Sequence, residues 1–274
     1  MSIDTEQSGV LTELRAKQQQ VWSSGDYNRI AALTVPVNET LVASAEIVPG
    51  ERVLDVATGT GHAALAAARA GAHVTGIDYV PGLLEIARAR AAAEHLDVRF
   101  IEAPAEQLPF ADGSFDVALS AIGVMFAADH GRAAAELVRV VRPGGRVAVA
   151  SWTRSGFVGG ILGIVGQHVS PPPAAQSPVR WGEEDLVAEL LGAGVEQVSS
   201  SVHAVTQRFR TVESFADLFL TYYGPTYAAA KKLDEKRRAA LRADLVAHAK
   251  AYAVPGARGF VSDWEYRIVQ ATRR

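Results

Sequence analysis

Short apolar runs alternate with helix-spaced apolar positions from residue 52 to residue 152. Strands are predicted at 52–56, 73–77, 98–103, 115–120 and 146–152, the last after a Pro143-Gly144-Gly145 turn. Helices are predicted between them at 62–70, 81–95 and 131–141, with Leu84, Ala87 and Ala91 on the inner face of the second. The strands at 53–56 and 117–119 are short and mostly apolar, as strands covered on both faces are. Strands alternating with helices imply parallel pairing through right-handed crossovers.

Around this alternation the pattern changes. Residues 11–47 read as helices, with Leu11, Leu14, Gln18, Val21 and Trp22 on one helical period. Gly25-Asp26 opens a segment carrying Tyr27, Ile30 and Leu33; Pro36 is expected to break it, and Asn38 to cap a helix bearing Leu41, Val42 and Ala45. Residues 155–180 are glycine-rich, carry Phe157, Ile161, Leu162, Ile164 and Val165, and run into Pro171-Pro172-Pro173. A linker would be more polar, so a loop with a short packed helix is expected. A helix at 183–191, a long strand at 195–208, helices over 211–253 and a strand at 259–272 complete the chain. The resulting division is an N-terminal helical lid (1–46), a cofactor-binding core (47–154), a substrate-side insertion (155–180), a core continuation (181–210), a helical cap (211–256) and a final core strand (257–274).

Composition narrows the chemistry. Half of the 274 residues are apolar, enough for a sizeable core, and 27 basic against 30 acidic residues leave a net charge of −3. No basic field suggests nucleic acid. There is no cysteine, which excludes disulfides, thiolate nucleophiles and thiolate metal sites. The polar stretch 1–13 is unlike a signal peptide, and no apolar run is long enough to cross a bilayer. A cytoplasmic protein without membrane insertion, monomeric or homodimeric, is expected.

The candidate chemistry sits where the first strand ends. Gly59 and Gly61 permit a tight turn and close approach of a ligand to the backbone. The helix that follows offers unpaired N–H groups and the positive end of its dipole, suited to a phosphate or to an amino-acid carboxylate. Asp78, ending the second strand, can accept from both hydroxyls of a ribose. Asp55 lies inside the strand before the turn. Its charge would repel a pyrophosphate yet suit an ammonium group, which favours an adenosine carrying an amino acid over a dinucleotide.

With these residues the chain resembles the class I S-adenosylmethionine-dependent methyltransferases. The likeness is to the group that includes ubiquinone and menaquinone C-methyltransferases and natural-product tailoring enzymes. The matching motifs are VLDVATGTG at 53–61, Gly76-Ile77-Asp78, AEQLPF at 105–110, Ser114-Phe115-Asp116-Val117 and VRPGG at 141–145. The resemblance implies a doubly wound α/β fold, a mostly parallel Rossmann-like seven-stranded sheet with the last strand antiparallel, plus helical caps. It implies S-adenosyl-L-methionine as cofactor and S-adenosyl-L-homocysteine as product. Asp78 would take the ribose, and Gly59 and Gly61 the methionine part. Ala105 and Glu106 would stand beside the adenine, and Ser120 near the methionine. Asp55, Ala57, Thr58, Tyr79, Trp22 and Tyr27 complete the expected cofactor contacts. Where such chains often carry an aspartate before the Ala-Glu pair, this one has Pro104, so adenine recognition falls to Ala105 and Glu106.

The sulfonium methyl is already activated, so such an enzyme needs alignment and water exclusion more than it needs a metal or a covalent intermediate. A general base helps when the acceptor is a phenol or a protonated amine. His130, after the fourth core strand, and His168, in the apolar insertion, are the candidates. No histidines or acids have convincing metal-ligand spacing. Phe126, Trp152, Phe157, Tyr222, Tyr223 and Tyr227 are candidate walls of a pocket for a small aromatic or lipophilic metabolite, though core packing is an equally common role. Two alternatives compete: an NAD-dependent oxidoreductase, disfavoured by Asp55 and the Pro-Gly-Gly turn, and a non-catalytic nucleoside-binding module.

Overall fold

The computed structural model describes residues 3–172 and 174–274; Met1 and Ser2 of the expected lid and Pro173 of the proline run lie outside the described residues. Seven strands form one sheet: β1 (Arg52–Val56), β2 (His73–Asp78), β3 (Val98–Glu102), β4 (Phe115–Ala121), β5 (Val141–Trp152), β6 (Val195–Phe209) and β7 (Phe260–Arg273). Their order is β3-β2-β1-β4-β5-β7-β6. Strands β1 to β5 pair in parallel, and the terminal strands are antiparallel. This is the expected doubly wound sheet. The chain reverses its building direction at β1 and β4, and in open α/β sheets ligands bind beyond the carboxyl ends of the strands at that switch.

The chain divides into two compact units. One, the sheet unit, comprises Val35–Ser151, Gln176–Val202 and Arg267–Arg274; the other, the helical unit, comprises Met1–Thr34, Trp152–Ala175 and His203–Tyr266.

In the sheet unit, β1 shows why apolar runs become central strands: Val53, Leu54, Asp55 and Val56 are all buried. The helices α3 (Val35–Ser44), α4 (His62–Arg69), α5 (Pro81–Ala93), α6 (His130–Val140) and α8 (Glu184–Leu191) follow local rules. Pro81 opens α5 at a position whose N–H has no helical partner anyway. Asp129 caps α6 by accepting from the Arg132 N–H at 3.0 Å, and Ala133, Ala134, Leu137 and Val140 bury one face of it.

Two local expectations change here. Pro36 does not break a helix; it lies in the first turn of α3, where proline is tolerated, after a 3-10 turn at Ala32–Thr34. Asn38 is therefore a buried residue within α3 and not its cap. The Pro143-Gly144-Gly145 segment is not a turn before a strand but a bulge inside β5. The register steps from Phe115↔Val141 to Val117↔Arg146, so β4 advances two residues while β5 advances five. Glycine is required at this bulge: a Cβ on Gly145 would stand 2.6 Å from the Asp116 carbonyl oxygen, and Gly144 has φ +72°.

The helical unit contains α1 (Ile3–Ser23), α2 (Asn28–Ala31), α7 (Phe157–His168), α9 (Val212–Tyr222), α10 (Gly224–Lys232) and α11 (Glu235–Ala251). The glycine-rich insertion thus contains a twelve-residue helix. Helix α9 opens with a reciprocal capping box between Thr211 and Ser214. Helix α11 is capped by Asp234, which accepts from the Arg237 N–H at 2.8 Å. The core of this unit is aromatic. Phe157 is fully buried, with Trp264 stacked at 5.5 Å and Phe215 at 5.2 Å between ring centroids. Among the described residues no helix is long and apolar enough to cross a membrane.

Candidate active site

The carboxyl ends of β1, β2 and β4 build the site within the sheet unit. After Val56 the chain leaves β1 through Ala57, whose φ of 56° lies in the left-handed region, then through Gly59 (φ 53°) and Gly61 (φ 86°) into α4. A left-handed alanine is an uncommon, strained state that neighbours must hold in place. Asp55 supplies part of that hold. Its Oδ2 accepts from the Thr58 hydroxyl at 2.5 Å and from the Ala64 N–H at 3.0 Å. Asp55 thus ties strand, loop and first turn of α4 together, satisfying one of the helix's unpaired donors. It is 1% exposed, and burial pushes its carboxyl up to about 7, against the opposing pull of the Thr58 and Ala64 bonds.

Asp78 performs the matching task from β2. Its Oδ2 accepts from the Gly59 N–H and its Oδ1 from the Val80 N–H, both at 2.9 Å. Burial pushes this carboxyl up to about 6, while the N–H groups of Val80, Gly59 and Tyr79 pull it down. Glycine is needed beside it at position 76, where a Cβ would meet the Phe100 ring at 2.9 Å and the Thr58 hydroxyl at 3.0 Å.

The β4 end meets the β1 end closely. The buried Ser120 hydroxyl donates to the Val56 carbonyl at 2.7 Å and accepts from the Val124 N–H at 2.9 Å. What Ser120 does, then, is lock the two strand ends together. Ile122 follows with φ 55°, a costly conformation for a β-branched residue. Gly123 makes the approach feasible, since a Cβ there would stand 2.7 Å from the Ala57 carbonyl oxygen. Glu106 and Ala105 are buried nearby in sequence to Pro104; the Glu106 Oε1 accepts from the Ala128 N–H at 2.7 Å and so braces the chain between β4 and α6. Phe126 is half-buried in the 3-10 turn Val124–Phe126, and Tyr79 is half-buried after β2.

His130 begins α6 and is fully buried, its ring edge-on to Trp181 at 5.9 Å. Burial, followed by the Arg180 cation, pushes its pKa down to about 4. It is neutral at pH 7, the state a general base requires.

The remaining candidates belong to the helical unit. His168 ends α7, and its Nε2 lies 2.7 Å from Asp244 Oδ2. Phe157 occupies the centre of the aromatic core and not a wall, because rings from α9, α11 and β7 cover it completely. Trp152 is 2% exposed and edge-on to Trp264 and Tyr266. Trp22 and Tyr27 are half-buried and pack edge to face at 5.1 Å, with Tyr223 at 6.1 Å from Trp22. Tyr223 is buried, and its hydroxyl has no hydrogen-bond partner. Tyr222 and Tyr227 are half-buried, with Arg29 over the first ring and Lys231 over the second.

Sequence reasoning missed Thr60, Ile122 and Gly123. Thr60 is 1% exposed within the glycine loop, and its hydroxyl has no partner. Its place between two glycines was the available signal. Nothing in the sequence marks Ile122, because its strain arises only when β1 and β4 ends are brought together.

Comparison with known proteins defines the class. The family described as "Methyltransferase domain" matches residues 54–149. Over 280 aligned positions the chain is 42% identical to an uncharacterized protein of Mycobacterium tuberculosis, covering 100% of both chains. It is 44% identical over 125 residues to a demethylmenaquinone methyltransferase of Thermus thermophilus, covering 44% of this chain and 57% of that one. A solved SAM-dependent methyltransferase of Thermotoga maritima shares the fold, with a TM-score of 0.55 at 18% identity over 90% of this chain and 95% of that one. The chain belongs to the class I S-adenosylmethionine-dependent methyltransferases. It uses S-adenosylmethionine as methyl donor and leaves S-adenosylhomocysteine.

The residues fit that cofactor. The loop holds a buried hydroxyl without a partner, Thr60, beside the N-terminus of α4, and glycines at 76 and 123 keep side chains out of the strand ends. Two buried carboxyl groups, Asp55 and Asp78, are of the kind that would accept from ribose hydroxyls and from an ammonium group. When bound, S-adenosylmethionine supplies a methyl group on a cationic sulfur. The chain's own work is to hold the loop rigid through Asp55, Asp78 and Ser120, and so to fix orientation.

Proposed function

We propose that the enzyme methylates an O, N or C nucleophile of an aromatic or lipophilic metabolite. The observation that carries this reading is the buried Tyr223 hydroxyl, left without a partner beside the rings of Trp22 and Phe219. An unpaired buried hydroxyl costs about 1–3 kcal/mol, which a ligand's polar atom would recover. Burial, and then the neighbouring Tyr27, pushes the Tyr223 phenol far up, so it stays protonated as a hydrogen-bond donor. A flat acceptor with a carbonyl or phenolic oxygen matches such a site. The demethylmenaquinone methyltransferase relative, itself named for a quinone precursor, supports that class.

On this reading Asp78 holds the ribose. Asp55, Ala57, Thr58, Gly59 and Gly61 surround the methionine part, with Tyr79, Ala105 and Glu106 on the adenine side and Trp22 and Tyr27 as cover. Residues 1–46, 155–180 and 211–256 serve as lid, insertion and cap. Of the two histidines, His168 has the geometry of an oriented base, since Asp244 holds its Nε2. The protein works in the cytoplasm and takes no nucleic acid. Incubation with methyl-labelled S-adenosylmethionine and a panel of hydroquinones, phenols and aliphatic amines tests the proposal. Label is expected on the aromatic acceptors, with Tyr223→Phe raising their KM about tenfold, the loss of one good hydrogen bond. Label on the aliphatic amines alone would refute it.

A further inference from the structure

Strand β6 ends the sheet order, so its outer edge has no neighbouring strand among the described residues. Such an edge presents unpaired N–H and C=O groups, and proteins usually guard it with lysine, proline or inward-pointing charges. Here the guards are missing. No Lys, Arg, Asp, Glu or Pro occurs from Val198 through Gln207. Instead the edge carries two exposed valines, Val198 at 37% and Val202 at 51%.

These valines flank three serines, and the run Val198-Ser199-Ser200-Ser201-Val202 reads the same in both directions. Two copies of such a strand can pair antiparallel about a two-fold axis through Ser200. Val198 then lies opposite the second copy's Val202, and Ser199 opposite its Ser201. No charge meets a like charge, because the run has none. Two-fold self-complementarity is what an isologous dimer interface requires.

The segment is held ready for this. The Ser200 hydroxyl donates to Glu184 Oε2 at 2.5 Å and accepts from Arg267 Nη1 at 2.7 Å, which fixes the face the strand shows. Gln197 has φ 51°, an irregularity just before the run that limits regular pairing on that side.

We propose that this edge is a homodimer interface, in which β6 of one copy pairs with β6 of a second copy about Ser200. The pairing is short, so the dimer dissociates on dilution.

The 274-residue chain has no cysteine, so single cysteines report the register without background. Opposed Cα atoms in an antiparallel pair are about 4.5–5.5 Å apart, within disulfide range. Ser200→Cys is therefore expected to give a covalent dimer on mild oxidation. Val202→Cys is not, since the two cysteines would lie about 13 Å apart along the strands. Sedimentation velocity across a concentration series should show a monomer–dimer equilibrium for the unmodified protein. The exposed double change Val198→Lys with Val202→Lys should leave only monomer, with an unchanged circular dichroism spectrum. A monomer at every concentration, a dimer that survives the lysine pair, or Val202→Cys cross-linking as readily as Ser200→Cys would each overturn the proposal.

Discussion

The sheet unit and the helical unit bury opposite kinds of chemistry. At the strand ends of the sheet unit, carboxylates are inside and each is bound to backbone donors: Asp55 to Ala64, Asp78 to Gly59 and Val80. In the helical unit the interior is rings, with Phe157, Phe215, Phe219 and Trp264 fully or almost fully buried. Its charged pairs, such as Arg242–Asp217, stay largely exposed, where they contribute little. The lesson is one of geometry. Buried carboxylates need donors in fixed directions, whereas packed rings need only close contact with one another.

The largest effect expected from breaking this comparison is in the aromatic core. Phe157→Ala should cost about 3–5 kcal/mol in urea unfolding, the usual penalty for emptying a fully packed ring position. A loss below about 1 kcal/mol would mean that one side of Phe157 is open.

Next comes the polar loop. Asp78→Ala should weaken S-adenosylhomocysteine binding by about 100-fold in calorimetric titration, because ribose acceptors disappear and the Gly59 N–H loses its anchor. The far-UV circular dichroism should remain native. Unchanged affinity would remove Asp78 from the cofactor site.

The smallest effect concerns charge. Asp55 and Asp78 have folded pKa values of about 7 and about 6, both above the ordinary carboxylate value of 3.8. The folded protein therefore binds more protons than the unfolded chain between about pH 4 and pH 7. Their contribution to stability is greatest at the acid end of that window and declines as pH rises through it. Buried His62 and His130, held neutral with values of about 4, oppose this below about pH 6.5, so the melting temperature of the cofactor-free protein should fall between about pH 6.5 and pH 8. A single oxygen of Asp55 takes both of its bonds, so an amide oxygen can replace it. Asp55→Asn should flatten the decline and gain at least about 1 kcal/mol at pH 8. Thermal scans across pH check this, and an unaltered slope in the variant would show that Asp55 is ionised without penalty.

Much of the sheet unit was legible because its determinants are local. The strand at 52–56 and the helix opening at Pro81 follow from periodicity, Gly61 and Pro81. The errors have a common cause. Pro36 reads as a break and the Pro-Gly-Gly segment as a turn, yet proline suits a helix's first turn and glycines suit a bulge against Asp116. Propensity alone does not separate these uses. Phe157 reads as a pocket wall by position, but its burial in the ring cluster depends on residues far away in the chain.

The sequence by itself determined the alternating fold, the glycine loop and its two acids, because hydrophobic period, glycine freedom and strand-end carboxylates act over a few residues. Only the tertiary structure decided which side chains are spent and which are spare. Ser120 and Glu106 turned out to be bonded to backbone, while Thr60 and Tyr223 keep buried hydroxyls without partners. Hydrogen-bond satisfaction depends on which groups the fold brings within about 3 Å, and no one-dimensional pattern carries that distance.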